Sequence, residues 1–180
     1  KKNYRLFNSR NLAEIARDKC LEAGIFDKIV ITSDDPFFEK LVNSDKVEFL
    51  LRDQNLANDD ATTDVVVDFL FKKFPLCESI LWVNSVSPLQ VTQDIKDCGI
   101  RLNDPKVDCV MAVNTLYQHC CLAGKPLNFD PNNAFEATQT LEPISRYVYS
   151  CMGWKRETYT KQRDNGFGGL FPGHMALVEV

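Results

Sequence analysis

The sequence has 180 residues, 44% hydrophobic and 26% charged, with 8 Gly, 8 Pro and 7 Cys. That balance fits one folded domain with a sizeable core and excludes disordered, collagen-like and disulfide-dense mini-protein classes. The formal net charge of -4 comes with scattered Lys and Arg, so nucleic acid is not expected as a partner, and no apolar run approaches the roughly 20 residues of a membrane-spanning helix.

In chain order, Asn11 followed by Glu14 reads as a capping box, Leu12, Ile15, Ala16 and Leu21 form a helical stripe, and Gly24 ends it. Residues 28–32 are a β-branched strand, and Asp35-Pro36 starts a short helix carrying Phe37, Phe38 and Leu41. A strand follows at 46–51, a helix starts at Thr62 or Thr63 with Val65, Val66, Phe69 and Leu70 inward, and a third strand spans 79–84. Thr92 is expected to cap a helix bearing Ile95, Cys98 and Leu102, and 107–113 is a fourth strand with an apolar pattern that suits full burial. From 117 to 169 the periodicity gives way to Pro, Asn and aromatic residues, read as an excursion over the ligand edge or towards a partner subunit, and 174–180 read as a closing strand.

Strands alternating with helices argue a doubly wound α/β domain with a mostly parallel sheet covered on both faces. The helix ahead of the first visible strand implies a further strand. With no initiating Met and a strand at its very end, the chain reads as a single domain, 1–180, truncated at both ends.

The seven cysteines are odd in number and lack CxxC spacing, which suits reduced core thiols in a cytoplasmic protein. Cys120 and Cys121 beside His119 have no second ligand pair at zinc spacing. Walker, GxGxxG and GxSxG patterns are absent, which removes support for P-loop, nicotinamide and hydrolase-triad chemistry.

In open α/β sheets ligands sit beyond the carboxyl ends of the strands. The residues expected there are Ser33, Asp34 and Asp35, then Arg52, then Asn84, Ser85 and Ser87, and Asn114. One Arg among many hydrogen-bonding groups suits a ligand with phosphates and a polar base. Simpler roles compete: Asp35 and Thr63 as helix caps, Ser87-Pro88 as a turn, and Asp34-Asp35 and Asp59-Asp60 as structural residues rather than metal pairs.

Four segments carry a family resemblance: Lys1-Lys2-Asn3, Phe26-Asp27-Lys28-Ile29-Val30-Ile31-Thr32-Ser33-Asp34-Asp35, Arg52-Asp53-Gln54-Asn55-Leu56-Ala57-Asn58-Asp59, and Asn84-Ser85-Val86-Ser87-Pro88-Leu89-Gln90. In this order the chain resembles the CMP-sialic acid synthetases, the acylneuraminate cytidylyltransferases, with a weaker echo at Ala137-Thr138-Gln139-Thr140-Leu141-Glu142-Pro143. The resemblance implies a three-layer Rossmann-like nucleotidyltransferase fold, transfer of CMP from CTP to a nonulosonic 2-keto sugar acid with release of pyrophosphate, Mg²⁺ as cofactor, and a homodimer. A related acceptor such as 3-deoxy-octulosonic acid, or a non-catalytic nucleotide-binding domain of the same ancestry, are the other readings.

By the same resemblance Lys2 and Arg52 would neutralise phosphate charge in catalysis. Asn3, Arg52, Asp59, Ala61 and Thr63 would bind the nucleotide, while Asn84, Ser85, Ser87, Gln90 and Gln139 would approach the sugar acid. Arg146 or Arg156 would pair with its carboxylate, a bidentate task for a guanidinium. The family's Arg-containing glycine-rich loop would precede Lys2 and its metal-binding Asp pair would fall beyond Val180, so this chain alone is expected to be a weak catalyst. Val86, Gln90 and the stretch 147–159 depart from the family pattern and put the acceptor, more than the nucleotide, in question.

Overall fold

The computed structural model describes residues 4–57 and 61–180. Lys2, Asn3 and Asp59, expected at the nucleotide, lie outside the described residues. The chain begins with a hairpin, β1 (Leu6–Phe7) against β2 (Arg10–Asn11). Asn8 and Ser9 both turn through positive φ, the backbone twist that a two-residue hairpin loop requires. In α1 (Leu12–Ala23) the Asn11 side chain accepts from the Glu14 amide at 2.8 Å, and Gly24 closes the helix at φ 69°.

Strand β3 (Ile29–Ser33) pairs in parallel with β4 (Val47–Leu51), and the two 3₁₀ turns Pro36–Leu41 between them are capped by the Asp35 carboxylate on the Phe37 amide at 3.0 Å. Helix α2 (Thr63–Lys73) leads to β5 (Ser79–Val83) and α3 (Thr92–Leu102). The N-cap of α3 is Val91 rather than Thr92: the Asp94 carboxylate accepts from the Val91 amide, and the Thr92 hydroxyl donates to Glu22 of α1. After β6 (Cys109–Leu116) comes the small hairpin β7 (Cys121–Leu122) and β8 (Lys125–Pro126), then β9 (Ile144–Lys155), α4 (Arg156–Asp164) and β10 (Met175–Glu179).

The larger sheet runs β10-β6-β9-β5. Its strands β10 and β6 are parallel, while β9 lies antiparallel between β6 and β5, so the sheet is mixed. The expectation of an irregular excursion over 117–169 is therefore corrected for its second half, where β9 crosses the middle of the sheet and α4 covers it. Among the described residues no ladder joins β3 to β5.

Alternation along β6 builds the three layers. Cys109, Met111 and Val113 face a cluster with Val67 and Phe71 of α2, Trp154 of β9 and Tyr159 of α4, while Val110 and Ala112 face Cys98 and Leu102 of α3, with Cys151 and Ala176. Trp154 and Tyr159 are almost wholly buried, each contributing on the order of 2–3 kcal/mol of apolar transfer. Their polar atoms are satisfied, the indole N–H by Leu170 O and the phenol by Asp64 O, both at 2.9 Å. A third cluster, Leu50, Val66 and Leu70 with Val30, Ile80 and Trp82, ties the two ladders together through α2. No helix among the described residues is long and apolar enough to cross a membrane, and all seven cysteines are free thiols.

Candidate functional site

Arg52 follows directly on β4, its amide donating to Ser33 O at 2.8 Å, which sets it beside the end of β3. Its guanidinium makes no ion pair among the described residues, and Nε is buried without a hydrogen-bond partner. Burial lowers the Arg52 pKa and the nearby Asp34 carboxylate opposes that shift. A half-buried guanidinium with an open donor direction is poised for an anion, because leaving such a donor unsatisfied is costly. The Thr32 hydroxyl, one residue before the end of β3, is likewise buried without a partner.

A second group of residues lies past the carboxyl end of β5. The Asn84 amide donates to Ser150 O at 2.8 Å, its side-chain amide donates to Tyr149 O, and its side-chain oxygen accepts from Val86 N. Ser87 and Gln90 continue the turn through Ser87 N to Asn84 O and Gln90 N to Ser87 O. Lys19 of α1 reaches across to Pro88 O at 2.6 Å and to Gln90 O, pinning this loop to the first helix. Burial lowers the Lys19 pKa, against the pull of Asp94 and Glu22.

Opposite this loop the register of β9 against β6 breaks. Met152 pairs with Met111 and Tyr147 with Val113, so residues 148–151 bulge against the single residue Ala112. Within the bulge Tyr149 takes φ 57°, a left-handed conformation that bulky side chains rarely adopt.

A profile of the family described as cytidylyltransferase matches residues 1–134, about three quarters of the sequence. The chain belongs to the cytidylyltransferase family. No curated protein matches it in sequence. Among solved structures, the 4-diphosphocytidyl-2C-methyl-D-erythritol synthase of Anaerococcus prevotii is similar over 99% of this chain and 81% of its own, with TM-score 0.70 at 11% identity. A CMP:2-keto-3-deoxy-manno-octonic acid synthetase complexed with CTP is similar over 99% and 83%, with TM-score 0.65 at 10% identity. The bifunctional IspDF of Campylobacter jejuni is similar over 100% of this chain and 44% of its own, with TM-score 0.62 at 19% identity. These likenesses confirm the α/β nucleotidyltransferase fold.

Within this cytidylyltransferase the expected site residues separate into distinct roles. Arg52 is available, and Ala61 and Thr63 stand at the amino end of α2, where Thr62 is the N-cap and makes no side-chain capping bond. Asn84, Ser85 and Ser87 share the loop after β5. Gln90 is turned inward, 9% exposed, with its amide on the Ser150 hydroxyl at 3.1 Å, which braces the loop against β9. Gln139 sits exposed in the turn Thr138–Thr140, and Arg146 is exposed on β9 in register with Asn114, without an ion pair among the described residues.

Arg156 corrects its expectation. It lies at the opposite end of β9, paired near the start of β5, and its guanidinium donates to Cys77 O at 2.6 Å, Phe71 O at 2.9 Å and Phe74 O. It therefore caps the carboxyl end of α2 and is spent there. Two open surface clefts lie at this same end, both lined by Arg156 and one also by Asp68, Lys72 and Arg163.

Asp35 is an N-cap, as its simpler reading held. His119 stacks on Phe135 at 4.2 Å and meets Phe129 edge-on, an aromatic nest with no metal geometry. Among the described residues no group of three His, Cys, Asp or Glu could hold a metal ion, so these side chains do not by themselves form a site for Mg²⁺. Sequence reading missed Lys19 and Tyr149, because neither a lysine's bonds to carbonyls some 70 residues away nor a left-handed backbone leaves a local pattern in the sequence.

Proposed function

We propose that this cytidylyltransferase transfers CMP from CTP to a nonulosonic 2-keto sugar acid. The supporting observation is Arg52, a half-buried guanidinium at the carboxyl end of a parallel strand that makes no ion pair among the described residues. In the proposed reaction a hydroxyl oxygen of the acid attacks the α-phosphorus in line. The new P–O bond forms as the bond to the α,β-bridging oxygen breaks, pyrophosphate leaves with its electron pair, and the hydroxyl proton passes to water. Such a transfer asks the protein for position and charge neutralisation more than covalent chemistry. Arg52 would hold phosphate oxygens, with Thr63 and the backbone at Ala61 facing the base, and Lys2, Asn3 and Asp59 would complete that side. Asn84, Ser85, Ser87 and Arg146 would face the acid, and Gln139 would approach from the turn at Thr138–Thr140.

An eight-carbon acid such as 3-deoxy-octulosonic acid is the second reading, favoured by the likeness to a synthetase whose name carries that substrate. Mg²⁺ would accompany the triphosphate and neutralise part of its charge. A homodimer would use the apolar surface at Leu122, Leu127 and Phe135, all exposed.

The test is pyrophosphate release by the full-length protein with each of four nucleoside triphosphates and a panel of keto acids. Release with CTP and one acid is expected. Arg52→Ala should weaken CTP binding by about 1–3 kcal/mol, the scale of a lost charge-assisted hydrogen bond; unchanged affinity by calorimetry, in folded protein, removes Arg52 from the site.

A further inference from the structure

Tyr149 is held in a conformation that glycine would adopt without strain. Its φ of 57° falls within the bulge where four residues of β9 oppose one of β6. Strain of this kind persists where surrounding structure imposes it, and it gathers at ligand sites. Here the imposing bonds come from the loop after β5. Asn84 donates from its side chain to Tyr149 O and from its backbone to Ser150 O, while Gln90 donates to the Ser150 hydroxyl.

Burial of the ring does not offset the strain, since Tyr149 is 52% exposed. The neighbouring Tyr147 is half-buried, with its hydroxyl near the Met175 sulfur, and packs on the core cluster; Tyr149 leans on it edge to face, with ring centroids 6.1 Å apart. The bulge thus turns an aromatic ring out at the carboxyl end of β5, next to Asn84. Arg52 and the start of α2 belong to the other ladder and its neighbouring helix.

We infer that the exposed Tyr149 ring, presented by the β9 bulge beside Asn84, is a wall of the acceptor site against which the apolar C–H face of a sugar ring packs. This rests on the acceptor being a sugar acid, as proposed above. Aromatic faces suit this task because they offer a large, rigid apolar area with little rotamer freedom to lose.

The experiment compares full-length wild type with Tyr149→Gly, Tyr149→Asn and Tyr149→Phe, measuring melting temperature and the separate KM values for CTP and for N-acetylneuraminic and 3-deoxy-octulosonic acids. Tyr149→Gly should melt about 2–4 °C higher, the shift expected from about 1 kcal/mol of relieved strain in a chain of this size. The same variant should raise the acceptor KM about tenfold, the loss of one well-packed aromatic contact, with the CTP KM within about twofold. Tyr149→Asn, which tolerates the left-handed backbone without supplying a ring, should show the same acceptor loss. Tyr149→Phe should recover the larger part of it. An active wild type whose acceptor KM is unmoved in the Gly and Asn variants overturns the role of Tyr149 alone. A wild type that turns over neither acid with CTP overturns the sugar-acid reading itself, and the acceptor wall with it.

Discussion

Replacing Arg156 with Met should destabilise the domain while leaving CTP binding intact. The guanidinium reaches three carbonyls, Cys77 O at 2.6 Å, Phe71 O at 2.9 Å and Phe74 O, and lies 4.6 Å above the Phe71 ring centroid. Two of those carbonyls belong to the last turn and C-cap of α2, where the helix leaves its C=O groups unpaired and its dipole is negative. Hydrogen bonds to a charged donor contribute about 1.5–3 kcal/mol each, but deletions within one fork are not additive. Arg156 is also half-buried, so water replaces part of what is lost. A total of about 3 kcal/mol follows, or a melting temperature lower by about 6–12 °C for this length. Arg156→Lys keeps the charge but gathers its donors on one nitrogen, which cannot span all three carbonyls, and should lose about half as much. Urea unfolding followed by circular dichroism, with calorimetric CTP titration of the same variants, makes the check. A Met variant within about 0.5 kcal/mol of wild type would refute the capping role, and loss of ligand binding at unchanged stability would return Arg156 to the site.

Two further outcomes test the core. A Cβ on Gly153 would sit 2.7 Å from Leu102 Cδ2 and 2.9 Å from Leu81 Cδ1, so Gly153→Ala should cost about 1–3 kcal/mol by overpacking, read as a lower urea midpoint; an unchanged midpoint would mean that α3 and β5 yield freely there. At pH 8 a disulfide reagent should modify the exposed Cys121 first, while Cys20, Cys98, Cys109 and Cys151 resist until unfolding. Burial pushes the Cys20 thiol up to about 12 and the Cys109 thiol to about 11. The unfolded chain then releases these protons at lower pH than the folded one, so stability should fall as pH rises from about 9 towards 12. A flat urea midpoint across that window would contradict the burial.

Where one rule of local chemistry dominates, the fold was legible: the Asn11 cap and Gly24 stop of α1, the Asp35-Pro36 start, and the apolar run of β6 lie where the spacing indicates. Strand β9 was not, for two reasons visible in its residues. Its first half is mostly exposed, with Ile144 and Tyr147 half-buried three residues apart rather than two, its second half, Cys151 to Trp154, is buried on both faces, and the bulge at Tyr149 lies between them. Helix α4 hides because Tyr159 is its one buried side chain, which leaves no stripe to detect. At the site, Arg52 was legible from its place after a strand, whereas the inward turn of Gln90 and the commitment of Arg156 to α2 depend on neighbours 60 and 79 or more residues away. Such long-range partners write nothing into local sequence.

The separation between β3 and β5 has a mechanical meaning. Among the described residues each ladder closes its own hydrogen bonds, and side chains alone bridge them: the apolar seam of Leu50, Val66 and Leu70 against Val30, Ile80 and Trp82, and, by way of α1, the Lys19 and Glu22 contacts with the loop after β5 and the start of α3. A seam of side chains without a ladder is the kind of junction that opens below the free energy of global unfolding. A ligand gripped by Arg52 on one plate and by the Asn84 loop on the other would act as a clasp across that hinge line, so occupancy would stiffen the junction most and the interior of either plate least.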